Sequence, residues 1–203
     1  MSLPPSQPSS LPYSQACENN KQPIQTVLKS AFQDASRVLE VGSGTGQHAV
    51  FFAQNLPNLC WQASDQAEHM NGLQARIKTE GAANQPEPVE FDVYEKAPTG
   101  NFDALFTANT CHIMPTEGVE RLFQHLGNAL SKVKRVCIYG PFNYAGKFTS
   151  GSNEAFDELL RTRDPKMGIR DIEWITQLAE EQGFKLVNDH GMPAHNRLLE
   201  FSR

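Results

Sequence analysis

Cysteine and tryptophan are scarce in this sequence, long apolar runs are missing, and there is no excess of positive charge. The four cysteines, Cys17, Cys60, Cys111 and Cys137, lie far apart and form no CxxC pair, so neither a zinc site nor a disulfide framework is indicated and no metal is expected. Cysteines set inside apolar runs behave as small hydrophobes, which predicts a reducing, cytoplasmic setting. The longest apolar runs, such as Val50 to Ala53, span a few residues, against the roughly 20 that a membrane helix needs. No membrane partner is expected. Eighteen basic against 23 acidic side chains give a formal net charge of −5, which offers no general attraction to nucleic acid. The stretch from Met1 to Pro12 is rich in serine and proline and has neither a cationic start nor an apolar core; a flexible tail over 1–12 is expected rather than a secretory signal.

What is present is an ordinary globular composition, with 39% of the 203 residues hydrophobic. One domain over 13–203 is the economical reading. Apolar residues at Ile24, Val27, Leu28 and Ala31 predict a leading helix over Asn20–Phe32, with Pro23 in its first turn. Short apolar, β-branched runs predict strands at Arg37–Val41, Leu59–Ala63, Val89–Val93, Phe102–Ala108 and Arg135–Tyr139. Between them, helical spacing appears from Gly46 to Leu56, around Met70, Leu73 and Ile77, and from Thr116 to Leu130. That alternation predicts an α/β fold, a parallel sheet with helices on both faces. Two last runs, Lys185–Asp189 and Arg197–Phe201, joined by Gly191-Met192-Pro193, predict a closing hairpin that adds an antiparallel strand. The Gly/Pro/Asn/Ser-rich segment 141–170, with a helix near Asn153–Arg163, exceeds the usual link of about 2–6 residues and reads as an insertion beside the ligand crevice. Phe156, Leu159 and Leu160 lie at helical spacing in it and read as core.

The most informative stretch is Val38-Leu39-Glu40-Val41-Gly42-Ser43-Gly44-Thr45-Gly46-Gln47, an apolar strand entering a glycine turn and then a helix. Glycines let the backbone turn sharply and a ligand approach closely, and the helix N-terminus offers free N–H groups. A dinucleotide fingerprint would need its third glycine at position 47, where Gln47 stands, so the nicotinamide-dinucleotide oxidoreductase alternative loses its key match. Glu40, two residues before the first glycine, suits a cationic ligand better than a pyrophosphate. Asp65 ends the second strand, where a ribose diol can donate to it, and Asp92 ends the third. Glu40, Asp65 and Asp92 are thus expected to form an electronegative rim.

With these residues in place, the sequence resembles the class I S-adenosylmethionine-dependent methyltransferases, whose first motif is matched by Glu40-Val41-Gly42-Ser43-Gly44-Thr45-Gly46. More narrowly it is similar to a methyltransferase-like group long catalogued as a domain of unknown function. Glu18-Asn19-Asn20-Lys21, Gly44-Thr45-Gly46-Gln47-His48-Ala49, Tyr139-Gly140-Pro141-Phe142-Asn143 and the Phe148 to Asp157 stretch carry that likeness. The resemblance implies a Rossmann-like fold of seven strands, mostly parallel, with an antiparallel C-terminal strand. It implies S-adenosylmethionine as cofactor, with Gly42, Gly44 and Gly46 at its methionine moiety beside Ser43 and Gln47, Asp65 at the ribose, Asp92 with Val93 at the adenine, and Asn109 at the methionine end. It also implies Lys21 closing over the cofactor carboxylate. Asn109-Thr110-Cys111-His112 is not the Asn/Asp-Pro-Pro-Tyr signature of nucleic-acid amino methyltransferases, so a small-molecule acceptor is expected and no nucleic acid. His112 is the candidate base, with His195 the other histidine near the functional edge, needed only if the acceptor must lose a proton. Asn143, with Arg170, is expected to meet the acceptor from a lid over 141–170. A non-catalytic cofactor binder of the same fold is the other alternative. The acceptor and the oligomeric state are not legible in the sequence.

Overall fold

The hydroxyl of Ser14 accepts the Cys17 N–H and so starts α1 (Gln15–Ala31) earlier than apolar spacing alone predicts. Pro23 therefore lies inside the helix, not in its first turn. The structure, a computed structural model, describes residues 11–203; of the tail expected over 1–12, residues 1–10 lie outside the described residues. Pro12 is already held, its carbonyl accepting from Arg76.

Alternation then proceeds as the sequence leads one to expect: β1 (Arg37–Val41), α2 (Gln47–Asn55), β2 (Cys60–Asp65), α3 (Ala67–Glu80), β3 (Val89–Glu90), β4 (Ala104–Ala108), α4 (Thr116–Gly127) and β5 (Arg135–Gly140). Next come β6 (Phe142–Asn143), α5 (Gly151–Arg163), β7 (Arg170–Asp171), α6 (Ile172–Glu181), β8 (Lys185–Gly191) and β9 (Arg197–Ser202). Seven of these strands form one sheet in the order β3-β2-β1-β4-β5-β9-β8. β1 to β5 pair in parallel, while β9 runs antiparallel to β5 and to β8. This is the α/β architecture with an antiparallel C-terminal strand that the sequence indicates.

Side chains alternate across β1, and the two faces pack separate cores. Leu39 and Val41 join Phe123, Ile138, Ile175 and Phe184 on the side of α4 and α6. Val38 joins Ile24, Leu28, Phe52, Trp61 and Phe106 on the side of α1 and α2. Fully burying side chains of this size contributes about 1.5–3 kcal/mol each before entropy is counted.

Two departures from the sequence reading shape the site. β3 covers two residues instead of Val89–Val93, because the Asp92 carboxylate accepts the Tyr94 N–H and its carbonyl the Glu95 N–H, turning the chain. The ends of the 141–170 segment are also tied together, β6 pairing in parallel with β7 through Phe142↔Arg170 and Asn143↔Asp171.

Candidate functional site

In an open α/β sheet, ligands bind beyond the carboxyl ends of the strands where strand order reverses, which here is between β1 and β4. A cavity of about 710 Å³ lies there, walled by the ends of β1, β2, β4 and β5, the loops after them, and the first turns of α1. Gly42, Gly44 and Gly46 all take left-handed backbone conformations, with φ of 72°, 54° and 75°. A Cβ on Gly42 would stand 2.6 Å from Thr110 Cγ2 and one on Gly46 2.9 Å from Leu73 Cδ1, whereas one on Gly44 would meet nothing within 4 Å. The loop is fixed to β2: Ser43 N–H donates to the Ser64 carbonyl at 3.0 Å, and Gly44 N–H donates to Asp65. Asp65 also accepts the Gln66 N–H at 2.8 Å. Asn109, just past β4, holds φ of 60°, rare for a side-chain-bearing residue and common where structure is constrained at functional sites.

Of the residues singled out from sequence, Gly42, Ser43, Gly44, Asp65, Val93, Asn109 and His112 line this cavity together. Lys21, Glu40, Gly46, Gln47, Asp92 and Asn143 are not brought to its wall. Glu40 shares the face of Val38, so its carboxyl points into the core, where it accepts Trp61 Nε1–H at 2.8 Å. That replaces the expected three-acid rim. Burial pushes the Glu40 pKa up to about 7, against the pull of Trp61 and Ser43. Lys21 pairs with Glu18 and lies over the Phe51 ring, off the cavity wall. Asp92 accepts from Gln66 Nε2 at 3.0 Å outside the wall. Asn143 is buried with its Oδ1 unpartnered. Arg170 does not reach the cavity either, since its guanidinium donates to the carbonyls of Cys111, Met114 and Lys166. With the Gly168 N–H on the His112 carbonyl, it ties the inserted segment to the loop after β4. His195 is exposed and takes no place in the wall.

Gln47 has a different role from the one expected. Its side-chain carbonyl accepts the Ser14 N–H, and its Nε2 donates to the Ser14 carbonyl at 3.3 Å and to Glu18 Oε1 at 2.6 Å. Arg76 adds a second hold, donating to the carbonyls of Pro12 and Thr45. Residues 12–17 are thereby strapped across the glycine loop. Gln47→Ala should speed hydrogen exchange of amides 14–18 at least tenfold while leaving β1 to β5 protected, as loss of about 1.5 kcal/mol of local stabilisation requires. Unchanged exchange at those amides would contradict this.

Sequence reasoning placed the leading helix and the 141–170 segment at the crevice but missed the side chains they and β5 give to the wall, Asn20, Phe156 and Tyr139. Asn20 is buried with Oδ1 2.6 Å from His48 Nε2, and Asn196 and the buried Tyr139 line the cavity with it. Phe156, read as core, lines the cavity and meets His112 edge-on with ring centroids 5.3 Å apart. Tyr139 was findable by the rule that singles out Asp65, since both stand at the carboxyl ends of strands. Burial lowers the pKa of both His48 and His112 to about 4, so both imidazoles are neutral near pH 7.

The family model described as "Protein of unknown function (DUF938)" matches residues 11–203. Among solved structures, the S-adenosylmethionine-dependent methyltransferase SibL, in its apo form, is similar with a TM-score of 0.74 and 20% identity, over 93% of this chain and 55% of that one. An O-methyltransferase family protein from Burkholderia thailandensis gives 0.72 and 16%, over 90% and 56%. The O-methyltransferase of neocarzinostatin biosynthesis, solved with S-adenosylmethionine and 2-hydroxy-5-methyl naphthoic acid, gives 0.74 and 15%, over 92% and 54%. The chain spans just over half the length of these structures, and at such identities the likeness is one of fold: the sheet is that of the class I methyltransferases.

Proposed function

We propose, starting from the fact that the chain belongs to the DUF938 family, that it is an S-adenosylmethionine-dependent methyltransferase acting on a small-molecule acceptor. The observation that carries this reading is the bare backbone at Gly44, a left-handed glycine on the cavity wall with open space where a Cβ would stand. Beside it, the uncapped start of α2, whose first-turn N–H groups have no helical partner, suits a carboxylate, as helix N-termini do generally. When bound, S-adenosylmethionine supplies a methyl carbon activated by its sulfonium.

The chain's own residues would then act as follows. Asp65 accepts from the ribose hydroxyls, Val93 with Phe91 and Tyr94 encloses the adenine, and Asn109 borders the amino-acid end. The neutral imidazole of His112 accepts the proton of a hydroxyl acceptor. The strap over residues 12–17 and the wall from α5 exclude water from the transfer.

Calorimetric titration tests the cofactor: S-adenosylhomocysteine should bind and NAD should not, and the reverse result would sink the reading. Radiolabelled S-adenosylmethionine with a metabolite extract then tests turnover. Asp65→Ala should weaken S-adenosylhomocysteine by about 2 kcal/mol, the scale of hydrogen bonds to a charged acceptor. Unchanged affinity, or unfolding before ligand is added, would give Asp65 a structural role instead.

A further inference from the structure

Sheet order divides the cavity. Asp65 on β2 and Val93 after β3 lie toward one edge, and Tyr139 on β5 with the turn before β9 lies toward the other, past β1 and β4. Among the described residues, no lysine or arginine lines the cavity and Asp65 is its one carboxylate. The far compartment therefore carries no formal charge: Phe156, Pro193 and Ala194 line it, with Asn20, Tyr139, Asn196 and His112 among its polar groups. The ions near it are already committed. Arg170 is held by three backbone carbonyls, Asp157 by Arg161 and Ile169 N–H, and Arg197 by Asp189.

On the methyltransferase reading above, we propose that this compartment selects an uncharged ring-bearing acceptor with a neutral hydroxyl, and rejects carboxylate, phosphate and ammonium analogues. A charge brought into such a wall loses its water without gaining a partner, a cost far larger than any apolar contact returns. A flat neutral ring keeps the apolar gain against Phe156, Pro193 and Ala194, and its oxygen finds hydroxyl, amide and imidazole partners that carry no charge. The naphthoic acid seen with the neocarzinostatin enzyme is the kind of acceptor this wall would refuse.

The test is calorimetric titration of the S-adenosylhomocysteine-saturated protein at pH 7.5 with 2-naphthol, 2-naphthoate and 2-naphthylmethylammonium, three probes of similar size. 2-Naphthol should bind at least tenfold more tightly than either ion. Phe156→Lys should raise the naphthoate-to-naphthol affinity ratio at least tenfold and leave S-adenosylhomocysteine binding within threefold of the parent. Equal binding of either ion, or no binding of any of the three, overturns the proposal. Failure to bind S-adenosylhomocysteine counts against the methyltransferase reading instead, and the same three titrations on the cofactor-free protein then decide the neutral compartment separately.

Discussion

Gly44→Ala is expected to leave a folded protein that binds S-adenosylhomocysteine a hundredfold or more weakly. The left-handed backbone at Gly44 costs an alanine about 1–2 kcal/mol, a loss a domain of this size survives. Its added methyl touches no protein atom, because nothing lies within 4 Å. The same methyl occupies the closest approach available to a ligand, and overpacking at such a contact, with backbone hydrogen bonds pushed out of reach, sums to about 3 kcal/mol in binding. The neighbouring glycines separate the two effects. Gly42→Ala and Gly46→Ala carry a similar backbone cost but also drive a Cβ into Thr110 or Leu73, so they should lower the melting temperature well beyond Gly44→Ala. Equal melting temperatures for all three variants, or undiminished ligand binding by Gly44→Ala, would contradict the assignment of Gly44 to the ligand.

The contrast among these glycines shows what was legible beforehand. Glycine spacing marks a loop that needs left-handed backbone and a strand-to-helix turn, and Asp65 follows because strand ends in this topology face one crevice, while Asn109 follows from the family resemblance. None of that depends on tertiary detail. The opposite case is the first turn of α1. Its place over the loop rests on Gln47 reading the backbone of Ser14, 33 residues away in sequence, and no local pattern announces such a pair. Glu40 is intermediate: two-residue alternation puts it on the face of Val38, so its burial against Trp61 could have been read, while ligand chemistry pointed to a rim. The inserted segment was legible as long and turn-rich, but its anchoring was not. Arg170 was expected to meet an acceptor because it is cationic and near the crevice, and three backbone carbonyls hold it instead.

The stability of the protein between pH 4.5 and 6.5 is expected to fall with acidification by about 2 kcal/mol, and three buried groups dominate that slope. His48 and His112, near 6.5 when exposed, are held down to about 4 by burial. Over this window the unfolded chain therefore takes up two protons that the folded chain refuses, and stability is lost as pH falls. Glu40 works in the opposite sense. Its carboxyl, near 4.5 when exposed, is pushed up to about 7, so the folded chain keeps a proton that the unfolded chain gives up, and stability is lost as pH rises. Each group contributes at most about 1.4 kcal/mol per pH unit, and two against one leaves one group's worth. The variants follow from that arithmetic. Glu40→Gln removes the opposing group and should roughly double the acid slope, while His48→Gln should flatten it, whatever either does to stability at neutral pH. Urea unfolding at half-unit intervals measures all three slopes. A Glu40→Gln slope parallel to the parent would mean that Glu40 is ionised in the folded protein across this range.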